Sequence, residues 1–220
     1  MSPTAAPRRA VRSGARAFRL GVVVLLAGLV LLGWSVYDVG WRSPLDGVAA
    51  ARAVADLRGQ WSRGVDPLAD RGTLAAGDPV AVVRIPALGE EELPLLVGTE
   101  EATLTGGLGW YDQTAAPGEV GNLAVAGLGQ LRGPLADLVT LSAGDTVEVE
   151  TRDSVHRYRL TEDPAATRAA ATDTWVIQPV PGQPQVAPSA ALLTLTTDAG
   201  PLHPDERTVA WAELTDTIVK

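Results

Sequence analysis

The sequence predicts a mainly β chain: one small closed barrel of eight strands with short helices, preceded by a single transmembrane helix. Three observations carry this. Residues 20–37, LGVVVLLAGLVLLGWSVY, hold no charge, and such a run is close to the ~20 apolar residues that cross a bilayer as a helix. From Val80 onward, short runs rich in β-branched residues follow one another at close spacing, divided by turn residues. Turns rather than long crossover helices link these runs, which favours a barrel over a layered α/β sheet.

Taken in order, residues 1–16 are rich in arginine, alanine and proline and read as a disordered cytoplasmic tail. Residues 17–41 read as a signal-anchor. Arg8, Arg9, Arg12, Arg16 and Arg19 precede the charge-free run, and Trp34, Tyr37 and Trp41 fall where an interfacial aromatic belt belongs. A cleaved signal peptide is the competing reading, but the run is long for one and no small-x-small site follows it. Basic residues before the span and acidic ones after it place the N-terminus in the cytoplasm and residues 38–220 outside. The expected location is therefore the cell membrane, through a single-pass anchor.

Residues 42–79 are expected to form a helical stalk and linker. In LDGVAAARAVADLRGQWSRG (45–64), Val54, Leu57 and Trp61 share one helical face. Such a helix is either a free stalk or packed on the domain that follows. The barrel domain is expected over residues 80–220, with strands at 81–85, 94–97, 123–127, 146–151, 155–162, 175–177, 191–197 and 207–214. TVEVET and VHRYRL alternate and are separated by a hairpin-length gap. Short helical pieces are expected at 100–104 and 134–141.

Charge and cysteine narrow the function classes. Of 18 basic residues, the five just named precede the first acid, Asp38, leaving 13 against 26 acidic residues for the rest. A domain that acidic is a poor partner for nucleic acid or an anionic surface. There is no cysteine, so every thiol mechanism is excluded and the core must hold without disulfides.

Three separated stretches carry a resemblance. GLGWYDQTAAPGEVGNLAVAG (107–127), PLADLVTLSAGDTVEVET (134–151) and LLTLTTD (192–198), the last followed nine residues later by Arg207, together resemble the sortases, class E in particular. The resemblance covers roughly residues 80–214 and implies an eight-stranded sortase-type barrel on a Gram-positive cell envelope. In that family a cysteine ending the penultimate barrel strand attacks an LPxTG-like sorting signal. A histidine in an AGH segment acts as acid and base, and an arginine on the last strand stabilises the oxyanion. Here the histidine position falls on Leu128 and the cysteine position on Asp198, while the arginine is kept as Arg207. The resemblance implies no cofactor.

A carboxylate is a poor nucleophile towards amides, and leucine cannot protonate a leaving amine. General acid–base help alone contributes about 10²–10⁴ in rate, so cysteine-type transpeptidation is expected to be lost. Loss of the histidine leaves Arg207 as the cation at the site, and Asp198 is expected to pair with it directly. Asp198, His203, Asp205 and Glu206 lie close together in sequence but match no metal-ligand pattern, and read as a solvated loop. Thr196 and Thr197 have no evident base, His156 reads as an outward-facing polar residue, and Glu90–Glu92 as a solvated acidic turn. The expected binding residues are Arg207, Asp198, Leu128 and Thr197. Three functions remain: a degenerate sortase that binds an LPxTG-like peptide or a cell-wall protein without cutting it, a structural envelope module whose groove has closed, or an enzyme of unrecognised chemistry around Asp198 and Arg207.

Overall fold

The computed structural model describes residues 47–129, 133–198 and 205–220, with Gly28 and Val30 in addition. Those two are helical; the rest of the expected span 17–41, and the tail 1–16, lie outside the described residues. Among the described residues no helix is long and apolar enough to cross a membrane.

Residues 44–220 make one compact unit. It opens with helix α1 (Gly47–Ser62), followed by strands β1 (Pro79–Arg84) and β2 (Leu93–Val97) and a short helix α2 (Glu101–Leu104). Strands β3 (Leu108–Trp110), β4 (Gly121–Ala126), β5 (Thr146–Glu150), β6 (Ser154–Leu160) and β7 (Arg168–Ala170) come next. β8 (Ala191–Asp198) and β9 (Glu206–Val219) complete the chain. The sheet order is β6-β5-β1-β2-β3-β4-β8-β9, and β6 returns to pair with β9 from Ser154↔Val219 to Leu160↔Ala212. Eight strands thus close a barrel. β7 is a ninth strand that pairs with the start of β9, before β6 takes over that edge.

Burial along each strand tells which walls are covered. β5 alternates, with Val147 and Val149 buried inside and Glu148 and Glu150 outside, as a wall facing water on one side should. β1 does not: Ala81 and Val83 face the barrel core, while Val82 is fully buried against Val54 and Leu57 of α1. The helix is therefore packed on the barrel, and the run of consecutive apolar residues in β1 is the trace of its two buried faces. Full burial of a side chain such as Leu57 is worth about 1.5–3 kcal/mol.

An ion cluster completes the docking of α1. Arg58 Nη2 reaches Glu92 at 2.8 Å and Glu150 at 3.2 Å, and Arg84 bonds the same two carboxylates at 2.6 and 2.7 Å. Lys220 Nζ adds 2.8 Å to Glu150 and stands 4.6 Å above the Trp61 ring. Burial pushes the Glu150 carboxyl up, but Lys220 and Arg84 outweigh it and hold the group below its ordinary value. Glu92 is thus part of a structural cluster and not of a solvated acidic turn.

Two further expectations need correcting. Residues 175–177 form a 3-10 turn and not a strand. Val176 is fully buried in a satellite cluster with Ala169 and Val209, and Trp175 stacks at a tilt on Trp211, ring centroids 5.7 Å apart. Packing over the outer face of β9 overrides the β-propensity of the WVI sequence. The missing eighth barrel strand is β3, whose LGW sequence is too short and glycine-rich to show a pattern. In 134–141 the helical part is confined to Leu138–Thr140.

Candidate functional site

Side-chain direction along the strands places the site on the outer face of the barrel. Leu193 and Leu195 of β8 and Ala210 and Ala212 of β9 point into the core. By the two-residue period, Thr194, Thr196 and Asp198, and Arg207, Val209 and Trp211, point outward. The register pairs Asp198 with Arg207 and Thr196 with Val209, and β4 brings Ala126 beside Thr196 from the other side. Asp198 and Arg207 are therefore direct cross-strand neighbours on one face, at the end of β8 and the beginning of β9.

Their side chains nonetheless bond elsewhere. Asp198 Oδ2 accepts the Gly129 N–H at 3.3 Å. Arg207 Nη1 donates to the Tyr111 hydroxyl at 3.3 Å. Among the described residues no ion pair joins Asp198 to Arg207, so the expected direct pair gives way to two separate partnerships.

The Tyr111 bond has a geometric consequence. Tyr111 follows β3 and hydrogen-bonds through its N–H to the Ala124 carbonyl, while Arg207 is on β9. With β4 and β8 between them and ~4.8 Å per strand spacing, the backbones are about 14 Å apart across the sheet alone. The two side chains must reach towards each other over β4 and β8. The residues beneath are small and covered: Ala126 is 7% and Thr196 1% exposed.

Leu128 follows β4. Its carbonyl accepts the Leu135 N–H at 3.1 Å, and the Gly127 N–H before it extends the parallel ladder to the Thr196 carbonyl at 3.0 Å. The Leu128 side chain is half-buried. Gly129 then folds directly onto the end of β8: a Cβ on it would stand 2.3 Å from Thr197 Oγ1 and 2.6 Å from the Asp198 carbonyl oxygen. Thr197 Oγ1 is buried without a hydrogen-bond partner. That buried hydroxyl lies near Asp198 under Gly129, and the outward-facing polar groups of this pole are the Asp198 carboxylate and the Arg207 guanidinium.

The other candidates lie apart. His156 is half-buried on β6, its Nδ1 3.2 Å from Thr217 Oγ1 and its ring against Gly118, which corrects the outward-facing reading. Burial pushes its pKa down. His203 lies outside the described residues. Glu206 pairs with Arg168 at 3.1 Å, and Asp205 accepts the Ala171 N–H through its backbone carbonyl. No cluster of three metal-ligating side chains is present among the described residues. Sequence reasoning missed Tyr111 and Gly129. The only signal for them was position, one residue after β3 and one after Leu128.

Comparison with known proteins completes the description. The family model of the sortase domain matches residues 83–215. The structure of sortase E from Streptomyces avermitilis is 35% identical, with 66% of this chain and 93% of that chain covered at a TM-score of 0.58. The SrtF sortase from Corynebacterium diphtheriae is 27% identical over 67% of this chain and 90% of its own, at a TM-score of 0.60. The Clostridium perfringens sortase D5 transpeptidase, 18% identical, is similar in fold alone, with 77% and 100% covered and a TM-score of 0.63. No curated protein matches the chain.

Proposed function

Because the chain belongs to the sortase family, we propose that it is a membrane-anchored, extracellular pseudoenzyme of that family. It binds a sorting-signal peptide or a cell-envelope partner at the pole of Asp198, Arg207 and Thr197 and does not transfer it. The observation that carries this reading is the residue at the end of β8. A carboxylate bonded to the Gly129 amide ends β8, where the resemblance puts the nucleophile, and a leucine, without a proton to give, follows β4, where the resemblance puts the acid–base group.

Binding and chemistry are separable on one fold. Arg207 keeps its place on β9 opposite that carboxylate, so a guanidinium stays available to an acyl carbonyl or carboxylate. The single-pass anchor at 17–41, with the N-terminus in the cytoplasm, belongs to the same proposal. It rests on the charge-free run and its arginine flank.

A second reading has an observation of its own. Tyr111 and Arg207 meet over the floor formed by Ala126 and Thr196, and a floor roofed in this way suits a structural module whose groove has closed.

One experiment separates them. The full-length chain in detergent is titrated with an LPxTG-like peptide and assayed for transfer of that peptide to an amine. Binding that weakens about tenfold in Arg207→Ala, a loss near 1.4 kcal/mol, without any transfer, supports the pseudoenzyme. Absence of binding supports the closed module. Transfer by the unaltered chain overturns both. Installing Leu128→His together with Asp198→Cys tests whether the scaffold still supports chemistry, the expected outcome being a gain of measurable transfer.

A further inference from the structure

We infer that a second cleft, at the far end of β4 from the pole, is a binding subsite for the uncharged flank of an extended peptide. The inference rests on the peptide-binding reading above and specifies which part of the peptide the chain holds most.

The cleft has a volume of 510 Å³, within the ~300–1,000 Å³ of small-ligand sites. One wall is the loop between β3 and β4, the other the 3-10 turn at Trp175–Ile177 and the residues after it. Asn122, 1% exposed at the start of β4, ties the second wall to the floor. Its Nδ2 donates to the carbonyls of Val176 at 3.3 Å and Gln178 at 3.0 Å, and its Oδ1 accepts from Thr194 Oγ1 at 2.8 Å. The cleft is thus built before any ligand arrives.

Its chemistry follows from which lining groups are already engaged. Both Glu119 oxygens are taken, one by the Arg71 guanidinium and the other by the Ala116 N–H at 3.0 Å. Thr114 Oγ1 donates to the Tyr111 carbonyl and accepts the Ala124 N–H. Gln178 Oε1, by contrast, is buried without a partner. A buried acceptor left unmade is costly, so a ligand that brings a donor gains there. Around it stand apolar groups, Val120, Ile177, Pro179 and Pro188, with Val120 62% exposed. A neutral N–H with an aliphatic side chain next to it fits this lining, and a peptide supplies that combination at every residue.

Position supports the same occupant. Asn122, Ala124, Ala126 and Leu128 succeed one another on one face of the β4 line. Six residues at ~3.3 Å each put the cleft about 20 Å from the pole. A peptide that passes outside the Tyr111–Arg207 bond spans that distance in about six extended residues, so the cleft takes the flank and not the sorting motif itself.

The test compares three capped peptides on the full-length chain in detergent by calorimetry. One is LPATG alone; the others carry six residues of alternating valine and serine on its N-terminal or its C-terminal side. One extension is expected to tighten binding at least tenfold, and Val120→Arg and Gln178→Leu are each expected to erase that gain while leaving the short peptide unchanged. Neither residue belongs to the pole. Equal affinity for all three peptides, or a gain that survives both substitutions, overturns the subsite and leaves the pole intact. Failure of all three to bind removes the peptide reading itself and the subsite with it.

Discussion

A methyl group on Gly129 would stand 2.3 Å from Thr197 Oγ1 and 2.6 Å from a backbone carbonyl. Neither neighbour is the loose end of a long side chain, since one is a buried threonine and the other the main chain of β8. Gly129→Ala is therefore expected to cost roughly 1–3 kcal/mol, the range for overpacking a filled site, read as a lower denaturant midpoint at constant m-value. An unchanged midpoint would show that the loop can lift off the strand. The same residue shows how far the site was legible. Asp198, Leu128 and Arg207 stand out because each belongs to a segment with a recognisable pattern around it. Gly129 and Tyr111 act through contacts with residues 69 and 96 positions away, and no local pattern encodes those. The expected pair between Asp198 and Arg207 failed for a related reason. Facing positions make a pair possible, but competing donors and acceptors from other strands decide whether it forms.

Among the elements, β6 has the clearest pH signature. His156 is half-buried between Gly118 and Thr217, and burial holds its pKa below the ordinary 6.5. The unfolded chain then binds a proton that the folded chain refuses, between 6.5 and the depressed folded value. Stability consequently rises with pH across that window and falls on acidification from about 6.5 downward. His156→Gln, which keeps a hydrogen-bonding group near Thr217, is expected to flatten the dependence of Tm on pH between 7 and 5.5. A slope identical to that of the unaltered chain would place the titrating group elsewhere. Elements also differ in how well they were foreseen. The β5–β6 hairpin follows from alternation because one face of it meets water. The turn at Trp175–Ile177 was read as a strand because its three residues favour extended structure. Its actual conformation comes from Asn122, Thr194 and Trp211, which belong to other strands.

For the molecule as a whole, the proposed anchor and the barrel are separable. The full chain is expected in the membrane fraction, resistant to high salt and to alkaline carbonate, and deletion of residues 1–46 is expected to release a soluble domain that retains α1. Full-length chain released by salt alone would mean surface attachment and would remove the anchor from the proposal. A released domain is expected to stay folded because α1 is held by Val82 and by the cluster of Arg58, Arg84, Glu92, Glu150 and Lys220.

Composition and order of residues by themselves determined three things: a chain without a thiol, an acidic domain behind an arginine-flanked apolar run, and a succession of short strands long enough to form a barrel. These are properties of neighbours along the chain. Tertiary structure alone decided which eight strands close the ring, that α1 packs on β1, and that Arg207 bonds Tyr111 in preference to the aspartate opposite it. Each of those outcomes is a competition among groups far apart in sequence for the same buried surface or the same hydrogen bond, and only the folded chain brings the competitors together.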